Sequence, residues 1–264
     1  MHRKAFTLAV CLFLAASARD AAAQAGQPLI EPWIDRGYFN FNIGFDTGSS
    51  TLSDSRIYRL PNDAEFPEDG SLSFETGVDS GMMIDFAVGS RVWQNVSVGI
   101  GYHRGSNGDP GTVVAAIPHP VNFNQHRNVT VPIEELDRTE SAIHLTVGYM
   151  VPIDEDFSIH FTIGPSFFRV SQEVASDITV TETSPPSFAT VNVTPIITER
   201  DDSPVGFNIG VDGTYKVWEN PNIKIGVGMF LRYAGATAKI VILDEEVETD
   251  VGGFQIGFGA RFRF

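Results

Sequence analysis

The carboxyl-terminal segment, residues 251–264, alternates between two kinds of side chain. Its odd positions from 253 onward carry Gly, Gln or Arg, and its even positions from 254 onward are apolar: Phe254, Ile256, Phe258, Ala260, Phe262 and Phe264. Alternation with period 2 predicts a β-strand whose two faces meet different surroundings. Because the chain stops on Phe, we expect an apolar medium around this end. We interpret the segment as the closing strand of a barrel in a lipid bilayer.

Seven earlier segments show the same alternation, at residues 38–46, 72–88, 96–103, 140–151, 157–167, 205–217 and 223–233. The second of them keeps one register, with apolar residues at even positions that we expect to face outward. Short turns follow strands 2, 4 and 6, and long polar loops follow strands 1, 3, 5 and 7. This asymmetry predicts an all-β fold, an eight-stranded antiparallel up-and-down transmembrane β-barrel with short periplasmic turns and long extracellular loops.

Aromatic residues give an independent check on these strands, because amphipathic rings prefer the level of the lipid headgroups. On the short-turn side we expect a belt of Trp33, Trp93, Trp218, Tyr149 and Tyr215, with Tyr38 close to it. Tyr102 and Tyr233 mark the opposite rim. The alternative, a secreted soluble sandwich or lipocalin-like barrel, does not explain why glycines cluster on the polar faces. A narrow lumen does.

The amino terminus predicts export from the cytoplasm. A basic start, a short apolar stretch and small residues at 21–23 indicate a signal peptide over residues 1–23. We expect a periplasmic lead over 24–36 and the barrel over 37–264. Cys11 is the one cysteine and lies in the signal peptide, so no disulfide framework is expected. The net charge of −15 makes nucleic acid an unsuitable partner.

The end of the chain resembles the carboxyl-terminal assembly signal of bacterial outer-membrane proteins, carried here by Gly259, Phe262 and Phe264. The resemblance implies recognition by the barrel-assembly machinery, chiefly through Phe264. The chain is similar to the barrel domain of outer-membrane protein A and to outer-membrane protein W. Four shorter segments resemble an uncharacterised outer-membrane β-barrel family: Ile117-Pro118-His119-Pro120, Asn124-Gln125-His126-Arg127, Gly164-Pro165-Ser166-Phe167-Phe168 and Val251-Gly252-Gly253.

Charged residues on the inward faces are the first candidates for a function. Near the periplasmic end we expect a lumen charge network of Asp85, Lys216, Lys224, Arg261 and Arg263. Further out we expect Asp46, Glu75, Asp79, Glu140, His103 and Arg232 to point inward. The network could line a polarised channel or form a salt-bridged plug. Eight strands leave an interior that side chains can fill, which favours the plug.

Histidines are a second set of candidate functional residues. His103, His144 and His160 point inward on neighbouring strands, and we interpret them as hydrogen-bonded lumen residues rather than metal ligands. His119 and His126 lie in a long loop, and Ser106, Asp109 and Glu134 could complete a hydrolase site at the rim. Because these residues form no recognisable nucleophile motif, we expect no enzyme activity, no cofactor and no metal.

The sequence therefore predicts a monomeric protein of the cell outer membrane with a structural or surface-interaction role, carried by acidic extracellular loops. The alternatives are a narrow passive channel for small solutes or hydrophobic molecules, and a rim lipid hydrolase. Expected partners are outer-membrane lipid and lipopolysaccharide, and the barrel-assembly machinery during biogenesis.

Overall fold

The computed structural model describes residues 34–59, 68–79, 81–183, 185–243 and 245–264. The predicted signal peptide, most of the predicted lead and Trp33 lie outside them. The described residues form eleven strands: β1 (Gly37–Asp46), β2 (Ser50–Arg59), β3 (Asp69–Val78), β4 (Met82–Trp93), β5 (Val96–Pro118), β6 (His126–Pro152), β7 (Phe157–Glu182), β8 (Val191–Asp202), β9 (Val205–Glu219), β10 (Lys224–Ile242) and β11 (Glu245–Arg263). Across this part of the chain, no helix is long and apolar enough to cross a membrane.

Eight of these strands close into a ring in the order β1, β4, β5, β6, β7, β9, β10, β11 and back to β1, and every pair is antiparallel. The closing pair aligns Phe39 with Phe262, and the backbone of Phe264 bonds to that of Gly37. The prediction of an eight-stranded antiparallel barrel is confirmed. Closure leaves no free strand edge in the ring.

The lower part of the ring exposes its apolar side chains. On β10, Val227 and Met229 point outward and are more than half exposed, whereas Arg232 points inward. Phe258 on the closing strand is 64% exposed. A continuous band of exposed apolar residues is costly in water and favourable in lipid, so this band is the membrane-spanning wall.

Above the outer rim the wall changes its sense: apolar side chains face the interior, and polar side chains face outward. On β10 the outward residue becomes charged Lys239, while Ile240 and Ile242 on either side of Val241 are buried inside. The same exchange occurs on β5, where inward Ser97 and His103 give way to inward Val113 and Ala115. Water replaces lipid outside this part, so apolar side chains gain about 1.5–3 kcal/mol each by turning inward.

The strands above the rim thus enclose their own hydrophobic core, and we call this part the extracellular module. The β2–β3 hairpin adds to the upper part of β5, and β8 adds to the upper part of β7. The core of this module is formed by side chains from β2, β3, β5, β6, β7, β8, the outer end of β10 and the residue that follows it. They are Leu52, Leu72, Phe74, Val113, Ala115, Ile117, Leu136, Val174, Ala175, Val193, Ile240, Ile242 and Leu243.

Three expectations about this region are wrong. Residues 72–88 do not keep one register, because β3 ends at Val78 and β4 begins at Met82. Leu72 and Phe74 point into the core, whereas Ile84 faces outward. Glu75, expected in the lumen, is exposed on the outside for the same reason. Asp79, also expected in the lumen, is exposed just past the end of β3. Much of the predicted loops is also strand, since β2, β5, β6, β10 and β11 extend into them. Within the loop predicted after strand 5, the end of β7 pairs with β8 as a hairpin.

Candidate functional site

The lumen is the first candidate site, and its lower part is built around Arg261 of β11. This side chain is fully buried and donates two hydrogen bonds to the Asp212 carboxylate of β9, at 3.0 Å from Nε and 2.6 Å from Nη2. Its Nη1 donates to Oδ1 of Asn42 on β1 at 2.6 Å. A paired guanidinium fork of this kind is among the strongest polar contacts in proteins. It joins three strands across the barrel interior.

Arg263 extends this tier toward the periplasm. It donates to Asn40 of β1 at 2.8 Å and to the Thr214 hydroxyl of β9 at 3.1 Å. Its guanidinium also lies 5.3 Å from the ring centre of Tyr38. Tyr38, expected close to the aromatic belt on the short-turn side, is instead buried inside and meets His160 edge to face. Its place on the inward-facing side of β1 explains this difference.

The middle of the lumen is crossed by a second set of contacts. The Asn42 amide donates to Asp85 of β4 at 2.8 Å, and Asp85 pairs with Arg232 of β10 at 2.8 Å. Arg232 donates to Gln255 of β11 at 2.7 Å, and Gln255 donates to Asp46 of β1 at 3.0 Å. This series of contacts connects β1 and β11, the two strands of the closing pair, with β4 and β10.

The predicted lumen histidines separate into two groups. His103 and His144 are 2.8 Å apart between Nδ1 and Nε2, and Nδ1 of His144 lies 2.7 Å from the Ser166 hydroxyl. His160 lies lower, with Nε2 2.9 Å from the Ser97 hydroxyl. All five side chains are buried. Among the residues that the structure describes, no group of three or more His, Cys, Asp or Glu side chains could hold a metal ion.

The two predicted lysines of the network lie at the periplasmic mouth rather than in the buried tier. Lys216 pairs with Glu219 at 2.7 Å and with Asp156 at 3.2 Å, and Lys224 pairs with Asp35 at 2.9 Å. Their partners lie at the end of β9, in the turn between β6 and β7, and at the start of the described chain. Asp85, Arg261 and Arg263 therefore share the interior, and the lysines form a separate, wetter layer.

Cavity volumes along the barrel axis agree with a filled middle. An upper cavity of about 420 Å³ reaches Arg138 and His103 from the outer side, and a lower cavity of about 340 Å³ ends at Arg261 and Arg263. Between them a cavity of about 60 Å³ is lined by residues of the hydrogen-bonded tiers. That volume holds a few water molecules at most.

The belt residues within the described ranges lie on the lipid-facing side. Each of them is at least 39% exposed: Trp93, Trp218, Tyr102, Tyr149, Tyr215 and Tyr233. The predicted assembly residues all lie on β11 or just after it. Phe262 packs against Phe39, Gly259 touches β1, and Phe264 follows the last residue of the strand. Their role in assembly stays a prediction.

The structure does not bring the rim hydrolase candidates together. His119 receives backbone N–H bonds from Val121 and Asn122 near the tip of the β5–β6 hairpin. Ser106 lies on β5, thirteen positions before His119, which is about 43 Å at the usual rise per residue of a strand. His126 bonds to the Asp69 carbonyl, and Asp109 is buried beside Asn107.

The tips of the extracellular module are joined by charge-assisted contacts. Arg127 of β6 donates two hydrogen bonds to Glu182 of β7, at 2.6 and 2.8 Å, and a third to the Phe188 carbonyl. The hydrogen bond from Arg127 lowers the pKa of Glu182. The contact is therefore retained at neutral pH and weakens only as acid protonates this carboxyl group. It holds the β5–β6 and β7–β8 hairpins side by side.

Sequence reasoning missed the acceptors of the lumen network. Asp212 accepts from Arg261, Asn42 accepts from Arg261 and Asn40 accepts from Arg263, and none of these three was among the predicted network residues. Their positions on inward faces are a readable signal. Which of them meets which arginine depends on the stagger between strands, which alternation does not encode.

Comparison with known proteins places this geometry in a family. The model of the outer membrane protein beta-barrel domain matches residues 7–262. No curated protein matches the chain.

Solved structures similar to the chain include Neisserial surface protein A (NspA; 12% identity, covering 86% of this chain and 97% of that one, TM-score 0.42). OprG from Pseudomonas aeruginosa is also similar (11% identity, 87% and 97%, TM-score 0.43). So is the outer membrane protease OmpT from Escherichia coli (12% identity, 86% and 94%, TM-score 0.30). At these identities the likeness concerns the fold alone.

Proposed function

Because the chain belongs to the outer membrane protein beta-barrel family and is located in the cell outer membrane, we propose that its barrel is a closed anchor for a surface-interaction module. The observation that carries this proposal is the hydrogen-bonded lumen. Arg261, Arg232 and Asp85 cross the interior at the level where a conducting path would have to pass.

The extracellular module supports the second half of the proposal. It has its own hydrophobic core, which a barrel does not need in order to close or to stay in the membrane. Its outer faces carry many exposed acidic residues, among them Glu135, Asp137, Glu199, Asp201 and Glu246. A rigid, charged surface held above the lipid is suited to contacts with other molecules, and its negative field would favour partners with basic surfaces.

Planar-bilayer recordings of the purified protein test this proposal. We expect no stable unitary conductance from the wild-type protein. A double variant, Arg232→Ala with Arg261→Ala, removes the side chains that cross the lumen and should conduct, which shows that the assay detects a pore of this width. Stable wild-type conductance comparable to that of the variant would refute the closed anchor.

The upper cavity supports a second candidate, a passive route for small solutes or hydrophobic molecules. It is lined both by lumen residues, including His103 and Arg138, and by the rim residues Phe207 and Tyr233. A route would have to continue past the 60 Å³ cavity below it. Liposome-swelling rates distinguish the candidates, because a route predicts solute entry above that of protein-free vesicles.

A further inference from the structure

Three neighbouring strands show an ordered sequence of layers at the outer rim. Register places Tyr102 of β5, Ile143 of β6 and Phe167 of β7 side by side, all exposed and facing lipid. Two positions further out, the next outward row is Arg104, Ser141 and Arg169.

Beyond the arginines the side chains change character twice. The following row is Ser106, Thr139 and Ser171. Beyond it lie Gly108 and Asp137, which pair across β5 and β6, and Glu173, whose carboxylate accepts a hydrogen bond from the Asp137 backbone. From the lipid outward the layers are therefore apolar, basic, hydroxyl and acidic. Adjacent outward rows are about 6.6 Å apart along a strand, so the acidic layer lies about 13 Å from the arginines.

The two arginines have no protein partner among the residues that the structure describes. Arg104 and Arg169 are both exposed, and neither forms an ion pair or a side-chain hydrogen bond there. On the face of the sheet that carries Arg169, the nearest acidic residue by register is Asp201, opposite Ser171 on β8, and it is not paired with Arg169. By contrast, Arg127, Arg138, Arg232 and Arg261 all have carboxylate partners.

We propose that the Arg104–Ser141–Arg169 row binds the phosphate group of an outer-leaflet glycolipid. Neighbouring strands are about 4.8 Å apart, so the two arginine backbones are separated by about 10 Å, and both long side chains can reach one phosphate above Ser141. Guanidinium groups match phosphate in charge and in hydrogen-bond geometry. This assignment goes beyond the proposed surface role and does not depend on it.

The neighbouring layers select the kind of lipid. Acyl chains would lie on the Tyr102–Ile143–Phe167 row, and sugar hydroxyls would meet the Ser106–Thr139–Ser171 row. A soluble phosphate ion would use only the middle row. The order of the layers therefore favours a phosphorylated, acylated sugar held in the membrane.

Binding can be measured with the mature protein in phosphatidylcholine nanodiscs, with and without diphosphorylated lipid A. A ligand of the native state raises the urea midpoint of unfolding, and the size of the rise reports its affinity. We expect the wild-type midpoint to rise. For Arg104→Gln with Arg169→Gln, we expect affinity to fall by at least about tenfold, since each charged hydrogen bond contributes substantially. Both residues are exposed, so the variant should fold normally without lipid A.

Two controls separate the site from general charge effects. Lys239→Gln removes one exposed positive charge elsewhere on the module and should leave the lipid A effect unchanged. Arg104→Lys with Arg169→Lys retains the positive charges but loses the paired N–H donors of the guanidinium groups, and this variant should bind with intermediate affinity. The proposal is overturned if the glutamine double variant responds like wild type, or if dephosphorylated lipid A acts equally well. An equal shift from inorganic phosphate would assign the row to a soluble ion instead.

Discussion

Replacing Asp212 with asparagine should lower the free energy of unfolding by about 3–5 kcal/mol, the largest effect expected of any single charge change in the barrel. Arg261 is fully buried, and Asp212 supplies the carboxylate that accepts two of its hydrogen bonds. Removing the carboxylate leaves a buried positive charge without its counter-ion. Urea titration of the protein in lipid vesicles, followed by tryptophan fluorescence, measures the change.

An exposed ion pair of nearly the same length is the matched control. Lys239 and Glu246 are 2.7 Å apart on the surface of the module, against 2.6 Å for the buried pair. Because water screens the exposed pair, Glu246→Gln should change stability little. The double variant Asp212→Leu with Arg261→Met should be more stable than Asp212→Asn alone, since no unpaired charge remains. Equal effects of Asp212→Asn and Glu246→Gln would show that the buried pair does not hold the lumen together.

Replacing Gly259 with alanine should prevent normal closure of the barrel. A Cβ at this position would overlap the Phe41 carbonyl oxygen and lie 2.8 Å from Cα of Asn42. Both contacts are with the backbone of β1, so no side-chain rotation relieves them. The substitution falls at the seam where the first and last strands must pair. We expect a cost at or above the upper end of the usual range of about 1–3 kcal/mol for overpacking, and a smaller folded fraction.

Gly101 of β5 is the matched control for this substitution. It also points into the lumen, but the nearest heavy atoms to an added Cβ are 3.5 Å and 3.6 Å away. Gly101→Ala should therefore be neutral or slightly stabilising, because alanine reduces the freedom of the unfolded chain. Mobility shift between heated and unheated samples on a gel gives the folded fraction. If both alanine variants fold equally well, the tight seam at Gly259 does not limit closure.

Alternation alone predicted the barrel because it reports which residues share a face. It does not report which face is inside. On β10, the even positions point inward along the whole strand, yet they change from Lys224 and Arg232 to Ile240 and Ile242. The sequence carries a signal for this change, because Lys239 alternates with apolar neighbours, although its acidic residues favour a loop. The solvent outside the wall decides the sense of the alternation.

The lumen contacts were less accessible to sequence reasoning. Asp212 and Arg261 lie on β9 and β11, with β10 between them, so their meeting depends on two successive registers. The Arg104–Ser141–Arg169 row likewise needs the registers of β5, β6 and β7. Inward or outward direction follows from sequence. Height in the barrel follows only from the stagger of the strands.

Spin-label accessibility along β10 tests the change of sense at the outer rim most directly. Single labels would be placed at Met229, Ile240 and Val241 of the protein in lipid vesicles. We expect the label at Met229 to collide chiefly with oxygen, which dissolves in lipid, and the label at Val241 with a water-soluble nickel chelate. The label at Ile240 should be protected from both. Oxygen-dominated relaxation at Val241, or chelate access at Ile240, would contradict an extracellular module with an apolar core.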